Sequence, residues 1–145
     1  GFDTETRPSF KKGQRYKISL MQISTDDTCF LFRLNHIGIP ESLEKFLKSS
    51  STLKIGLSLR DDFGAIRKRS DIEPANFLDL QNYVGQFGIE DASLQKIYAI
   101  LFQKKISKGK RLTNWEADVL TDSQKKYAAL DAWACLRIYN LLNQA

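Results

Sequence analysis

The first six residues, Gly1-Phe2-Asp3-Thr4-Glu5-Thr6, place two carboxylates in a segment with strand propensity. Side chains alternate between the two faces of a strand, so we expect Asp3 and Glu5 to point to the same side. Two like charges held side by side repel each other, and burial strengthens the repulsion. The pattern therefore favours a divalent cation between them. The alternative is an ordinary polar edge that faces solvent.

The composition is that of an ordinary globular protein. A chain of 145 residues, 42% hydrophobic and 27% charged, is expected to form one domain with its own core. No apolar run approaches the roughly 20 residues of a membrane span. The two cysteines form no metal-type spacing and no disulfide framework, so the default expectation is an intracellular protein, cytoplasmic if bacterial. The first residue is Gly rather than Met, which suggests a fragment that begins inside a strand.

Positive charge is concentrated in clusters along the chain. The formal net charge is +5, which suits a polyanionic partner such as nucleic acid, although many basic surfaces are only solvated faces. The clusters are Lys11, Lys12 and Arg15; Arg67, Lys68 and Arg69; Lys104, Lys105, Lys108, Lys110 and Arg111; and Lys125 and Lys126.

Hydrophobic periodicity places strands first and helices last. The strands are expected at residues 15–20, 29–34, 53–59 and 76–80, after the opening strand, and the first two of these read as a hairpin. Helices are expected after Pro40, from residue 61, over residues 94–102 and from Thr121 onward, where Thr121 and Gln124 have capping-box spacing. This order predicts an α/β fold, a mixed sheet with helices packed against it, without internal repeats.

Asp61 and Asp62 follow the apolar strand at residues 53–59. Functional groups commonly lie at strand ends of such sheets, and this favours a second source of carboxylates. The alternative is that one of the two acids is simply the N-cap of the helix that begins there.

Asp131 is a stronger candidate for a functional acid, because it lies in a stretch of otherwise small and apolar residues, Tyr127-Ala-Ala-Leu-Asp131-Ala-Trp-Ala. An ionised Asp within a packed helix costs several kcal/mol unless it is paired. Tyr127 lies one turn earlier on the same helix face. The alanines at 128, 129 and 132 are small enough to let the helix approach a sheet closely. The alternative is a Tyr–Asp hydrogen bond on a helix surface.

These segments together resemble the three exonuclease motifs of the DEDD superfamily of 3′-5′ exonucleases. G-F-D-T-E-T, K-I-G-L-S-L-R-D-D-F and Y-A-A-L-D-A-W-A match those motifs in order and spacing. The Y-x-x-x-D form is that of the tyrosine (DEDDy) subgroup, since Lys126 stands where the histidine subgroup has His, and His36 matches no motif. Residues 93–110 and 113–124 resemble Werner-type and ribonuclease D-like domains, so the resemblance covers the whole chain. The family usually has sequence upstream of the first catalytic strand, so we expect residues 1–145 to be a single exonuclease domain truncated at its N-terminus.

The resemblance implies an α/β, ribonuclease H-like fold with a mixed β-sheet of about five strands flanked by α-helices. It also implies hydrolysis of the terminal phosphodiester of a nucleic acid, releasing nucleoside 5′-monophosphates by a two-metal-ion mechanism. An all-carboxylate site suits hard cations such as Mg²⁺ or Mn²⁺. The implied ligands of the two ions are Asp3, Glu5, Asp62 and Asp131. Tyr127 would orient the attacking water, and Asp61 would cap the helix or lie behind the ligands.

Substrate contacts are expected from Thr6, Phe10, Phe63, Asn114 and Trp115. Backbone groups near Thr6 and the ring of either phenylalanine would hold the terminal nucleotide, because aromatic platforms stack on bases of single strands. Core packing is the alternative for each phenylalanine, and anchoring of the loop is the alternative for Asn114 and Trp115. The expected partner is a nucleic acid with a free 3′ end, DNA favoured and RNA possible, and no membrane; the oligomeric state is open.

Two other functions compete with catalysis by an exonuclease. An inactive exonuclease-fold module would only bind nucleic acid, although the four acids and Tyr127 argue against it because lost catalysis removes the reason to crowd them. The second alternative is a phosphotransferase of unrelated fold that binds its metal through oxygen ligands. A nuclease assay with and without chelator distinguishes the three.

Overall fold

The computed structural model describes residues 1–144, which form five strands and six α-helices. The strands are β1 (Phe2–Thr6), β2 (Ile18–Ser24), β3 (Cys29–Arg33), β4 (Lys54–Gly56) and β5 (Phe77–Asp79). The helices are α1 (Leu34–Ile37), α2 (Glu41–Lys48), α3 (Leu59–Arg67), α4 (Leu80–Tyr83), α5 (Leu94–Phe102) and α6 (Asp122–Asn143). A 3-10 turn, Val84–Phe87, follows α4. None of the helices in this range combines the length and the apolarity needed to cross a bilayer.

The five strands form two hydrogen-bonded ladders. Strands β1, β2 and β3 pair antiparallel with β2 in the middle, whereas β4 and β5 pair in parallel. Strand β4 lies beside β1, so closely that a Cβ built on Gly56 would lie 3.2 Å from the carbonyl oxygen of Phe2. The number of strands and the mixture of pairing directions agree with the prediction. Within the described residues, however, no ladder joins β1 to β4, so the strands form two sheets and not the one that was predicted.

Several strand boundaries differ from the hydrophobic pattern. Strand β2 continues to Ser24 instead of ending at residue 20, and β4 ends at Gly56 instead of residue 59, where α3 already begins. Strand β2 begins at Ile18 rather than at residue 15, because Tyr16 belongs to the loop, where the Arg7 guanidinium lies 4.7 Å from its ring centre. Strand β3 ends at Arg33, and Leu34 begins the one-turn helix α1. A tertiary contact of Tyr16 ends the alternation of apolar and polar residues before β2, and the short helix α1 ends it after β3.

Helices cover the strands on both sides. One core cluster joins β4 to helices α5 and α6 and includes Ile55, Ile97 and Ile138; the other joins β1 and β2 to helices α2 and α3 and includes Phe2 and Ile66. A third, smaller cluster contains Leu20, Trp115, Leu120, Tyr127 and Ala128. This third cluster includes Tyr127, which is also a residue of the candidate site.

Helix α6 lies close to the antiparallel sheet. Ala128 and Ala132 are fully buried, and a Cβ built on Gly1 would lie 1.8 Å from the carbonyl oxygen of Ala132. The Gln22 side chain of β2 donates a hydrogen bond of 3.1 Å to the carbonyl oxygen of Ala128. The close helix–sheet approach predicted from the alanines is therefore confirmed, and it sets the distance between Asp131 and β1.

Candidate active site

Three carboxylates converge where β1 meets α6. Asp3 and Glu5 project from β1 and Asp131 projects from α6, with one oxygen of each within 4.8 Å of the others. Glu5 is 9% exposed and Asp131 is 5% exposed, whereas Asp3 is half-buried. The Oδ1 atom of Asp131 is buried without a hydrogen-bond partner. Within residues 1–144, none of the three carboxylates forms an ion pair.

Burial raises the pKa of every carboxyl group in this cluster, and repulsion from neighbouring acids adds to the rise for Asp3 and Glu5. Burial raises the pKa of Glu5 to about 8, and the charges of Asp131 and Asp62 add to the rise. Burial raises the pKa of Asp131 to about 7, although the Tyr127 hydroxyl and the charge of Lys108 oppose the change. The pKa of Asp3 is also well above its usual range, mainly because of burial and then because of the charge on Glu5. The positive charges of Lys108 and Arg111 oppose the rise in pKa of Asp131 and Glu5 respectively, but they do not outweigh burial.

Asp62 approaches the cluster from the first turn of α3. It accepts a hydrogen bond from the hydroxyl of Thr4, which ties α3 to β1. Burial raises the pKa of Asp62 to about 6, and the Thr4 hydrogen bond opposes the rise. The Asp62 charge in turn raises the pKa of Glu5, although its oxygens lie outside the tight group of three. Asp61, in contrast, is exposed.

Asp79 fixes the start of α3, a role that the sequence analysis missed. Its carboxylate accepts hydrogen bonds from the backbone N–H of Ser58 (2.9 Å) and of Leu59 (3.0 Å). It also accepts a hydrogen bond of 2.9 Å from the N–H of Gln81 and so caps α4. An Asp before a helical segment is a recognisable N-cap signal, but the contact to α3 requires the pairing of β4 with β5.

Tyr127 lies one turn before Asp131 on α6 and is nearly buried. Burial, followed by the charges of Asp131 and Glu5, raises the pKa of its phenol, so the hydroxyl keeps its proton at neutral pH.

Helix α6 starts at the predicted capping box, in which Thr121 and Gln124 exchange side-chain and backbone hydrogen bonds. The N-cap of the helix therefore lies ten residues, nearly three turns, before Asp131.

Trp115 is fully buried behind Tyr127. The two rings are stacked, with centroids 6.0 Å apart and planes at 30°. The Trp115 Nε1–H donates a hydrogen bond of 3.2 Å to the carbonyl oxygen of Arg111. This placement agrees with the alternative in which Trp115 anchors the loop, since its ring is not available to a base.

A cavity of about 470 Å³ opens onto Asp3, Asp131 and Tyr127. Lys108 and Arg111 line it beside Asp3 and Asp131. The Arg111 charge lowers the pKa of Glu5, against the larger effect of burial. The sequence identifies these two cations only as members of a basic cluster, because their position beside the acids depends on how the α5–α6 connection folds.

The remaining substrate candidates lie in different places. Thr6 is exposed at the end of β1. Phe10 and Asn114 are exposed and line a second cavity. Phe63 packs edge-on against the Phe77 ring at 5.0 Å, which agrees with the core-packing alternative. The structure therefore does not bring these five residues together around one base.

Comparison with known proteins gives a consistent result along the whole chain. A 3′-5′ exonuclease family model matches residues 1–145. The mouse (Mus musculus) bifunctional 3′-5′ exonuclease/ATP-dependent helicase WRN is 30% identical over 148 residues, which cover 98% of this chain and 11% of that protein. The chain spans between 11% and 51% of the length of the curated relatives that it matches at 30–32% identity.

Solved structures show the same architecture. The Nibbler EXO domain of Aedes aegypti superimposes with a TM-score of 0.85 at 24% identity, covering 99% of this chain and 76% of the other. Brucella melitensis NrnC bound to pGG gives a TM-score of 0.82 at 26% identity, covering 99% and 70%; NrnC has also been solved with bound Mg²⁺. The expected ribonuclease H-like α/β fold is thereby confirmed.

Proposed function

The chain belongs to the 3′-5′ exonuclease family, and from that premise we propose that it is a metal-dependent 3′-5′ exonuclease of the tyrosine subgroup, with residues 1–145 acting as one domain. It removes nucleoside 5′-monophosphates from a nucleic acid that has a free 3′ end. The observation that carries the proposal is the convergence of Asp3, Glu5 and Asp131 within 4.8 Å, with Asp131 Oδ1 buried and unpartnered.

The residues of the cluster fit a pair of divalent cations. All donors are carboxylate oxygens, which Mg²⁺ and Mn²⁺ prefer, and a bound cation would favour the ionised forms of these buried acids, whose pKa values are raised. We assign Asp3, Glu5, Asp62 and Asp131 as the ligands of two Mg²⁺ or Mn²⁺ ions. When bound, these ions supply Lewis acidity that lowers the pKa of water and stabilises charge on the leaving 3′-oxygen. The Mg²⁺ in the related NrnC structure supports this assignment.

Tyr127 orients the attacking water. Its phenol remains protonated at neutral pH, so it acts as a hydrogen-bonding group and not as a base. Stacking on Trp115 fixes the direction in which the hydroxyl points. Such positioning matters, because small misplacements of reacting groups reduce rates strongly.

Lys108 and Arg111 bind the phosphate that is to be cleaved. Both line the cavity that contains Asp131 and Tyr127, and both stand close enough to influence the acids electrostatically. Charged nitrogen donors of this kind form strong hydrogen bonds with phosphate oxygens. They also offset the repulsion between a phosphate and the acidic cluster.

The test compares linear and circular substrates. Single strands of DNA and RNA labelled at the 5′ end are incubated with Mg²⁺ or Mn²⁺, alongside circular strands of the same sequences and EDTA controls. We expect a descending ladder from the linear strand, an untouched circle, no product in EDTA and no product from Asp131→Asn. Cleavage of the circle would show an endonuclease. Binding without cleavage at any metal concentration would show an inactive binding module.

A further inference from the structure

A third cavity, of about 450 Å³, borders the α5–α6 connection, as the acidic cavity does. The two cavities share Tyr127 but take different residues of the connection. Lys108 and Arg111 line the acidic cavity, whereas residues 104–107 and Lys110 line the third one. The connection therefore separates two spaces, and the volume of the third is within the range of small-molecule sites.

Four lysines and no acid line this third cavity. Lys104, Lys105 and Lys110 come from the connection, and Lys126 comes from α6. All four are exposed, and within residues 1–144 none of them forms an ion pair. Their positive charge is therefore available to an anionic ligand of the cavity.

The deeper wall of the third cavity is aromatic. Tyr98 of α5 and Trp133 of α6 belong to the lining, with their ring centroids 6.5 Å apart and their planes at 47°. Tyr98 is buried and Trp133 is half-buried, in contrast to the exposed lysines. The Trp133 indole N–H donates a hydrogen bond of 3.1 Å to the carbonyl oxygen of Asp26, which holds this ring in place.

The two parts of the lining suit two parts of one ligand. Lysine ammonium groups bind phosphate oxygens, and aromatic rings stack on the face of a nucleobase. An inorganic polyphosphate would use only the lysines, and an apolar ligand would use only the rings. A nucleotide that carries more than one phosphate uses both.

We propose that the third cavity is a binding site for a nucleoside diphosphate or triphosphate, distinct from the acidic cavity. The phosphates lie among Lys104, Lys105 and Lys126, and the base lies against the wall formed by Tyr98 and Trp133. Binding there requires neither the carboxylates nor a metal ion. The inference is therefore independent of the proposed exonuclease function.

The first test measures the affinity for ADP in the absence of metal. Isothermal titration calorimetry is carried out in EDTA at about 0.15 M salt, which screens distant surface charges. We expect one ADP per chain and a Kd that rises about tenfold in Lys104→Ala and in Lys126→Ala, because each variant loses a charged contact with phosphate. Lys125→Ala is the matched control, since Lys125 is exposed on the same helix but lines neither this cavity nor the acidic one. Absence of saturable binding, or an equal rise in Lys125→Ala, would overturn the proposal.

The second test locates the nucleotide. Lys108→Ala removes a cation of the same connection that lines the acidic cavity instead, so the Kd for ADP should stay as in the unsubstituted protein. ADP should also quench tryptophan fluorescence, and Trp133→Phe should remove the quenching, because the other tryptophan, Trp115, is fully buried. Equal rises of Kd in Lys108→Ala and Lys104→Ala would place ADP in the acidic cavity. That result, or quenching that persists in Trp133→Phe, would refute the assignment.

The third test identifies the class of ligand. Inorganic tripolyphosphate should bind about tenfold more weakly than ADP, because it has no base to stack. The Kd of a single-stranded decanucleotide in EDTA should be the same in Lys104→Ala and Lys125→Ala. Equal affinities for tripolyphosphate and ADP would show an unspecific anion site. A decanucleotide Kd that rises with Lys104→Ala as much as that of ADP would show a surface for a nucleic-acid strand, and either result would overturn the proposal.

Discussion

Trp115 stacks on Tyr127 with the ring centroids 6.0 Å apart, while its Nε1–H donates to the carbonyl oxygen of Arg111. One buried side chain thus contacts both the candidate water-orienting residue and the backbone of a candidate phosphate-binding residue. Since Trp115 comes from the α5–α6 connection and Tyr127 from α6, the packing between these segments determines the shape of the acidic cavity.

Truncation of Trp115 should therefore impair both stability and activity. Trp115→Ala is expected to lower the free energy of unfolding by about 3–5 kcal/mol, as for other fully buried aromatic residues. Thermal unfolding followed by circular dichroism measures the effect. Trp133→Ala is the control, because Trp133 is only half-buried and donates to the carbonyl oxygen of Asp26 at the surface. Similar losses in the two variants would contradict the anchoring role.

Removal of the Tyr127 hydroxyl should reduce turnover without removing metal binding. Tyr127→Phe keeps the stacked ring on Trp115, so we expect kcat to fall about tenfold to a hundredfold while the metal concentration for half-maximal activity stays the same. Asp131→Ala should abolish activity because it removes a ligand. Steady-state kinetics over a Mg²⁺ titration distinguish the two. Equal, small effects of both substitutions would contradict the assigned roles.

Divalent cations should stabilise the folded protein. A ligand that binds only the native state raises its stability, and here it also relieves repulsion between Asp3, Glu5 and Asp131. We expect the Tm to rise with millimolar Mg²⁺ or Mn²⁺ in calorimetry, and the rise to shrink in Asp131→Asn. An unchanged Tm in the unsubstituted protein would count against the metal site.

The metal-free protein should become less stable as the pH rises from about 4 to 8. Burial and the charges of neighbouring acids raise the pKa of Glu5 to about 8, and burial raises that of Asp131 to about 7, whereas the unfolded chain has ordinary values near 4. The folded state therefore binds more protons than the unfolded state in this window, and the slope of stability against pH is negative. Urea unfolding in EDTA measures it. Glu5→Gln should flatten the curve, and a positive slope in the unsubstituted protein would refute the prediction.

Loss of the Asp79 carboxylate should act on the site through α3. Asp79→Ala removes the acceptor for the N–H groups of Ser58 and Leu59, with an expected cost of about 1–2 kcal/mol and a lower kcat because Asp62 is displaced. Urea unfolding and kinetics test the two effects. Asp71→Ala is the control, since Asp71 is exposed. Restoration of kcat by Asp79→Asn, which keeps an acceptor oxygen, would support a positioning role, while an unaltered kcat in Asp79→Ala would contradict it.

The sequence by itself determined the features that depend on neighbouring residues. Alternation along β1 puts Asp3 and Glu5 on one side, and helical spacing puts Tyr127 one turn before Asp131. The capping box at Thr121 and the close approach of α6 followed from local residue types. Strand and helix periodicity are set by the backbone geometry of adjacent residues, so these features could be predicted before any tertiary contact was known.

Only the tertiary structure decided which distant residues support the acids. The bond between Thr4 and Asp62 joins positions 58 residues apart, and the bond between Asp79 and Ser58 depends on the pairing of β4 with β5. The place of Trp115 behind Tyr127 and the cavity between Phe10 and Leu112 follow from how two irregular connections fold. No periodic pattern encodes such contacts, because they are selected by packing across the core and by the burial of polar groups that must find partners.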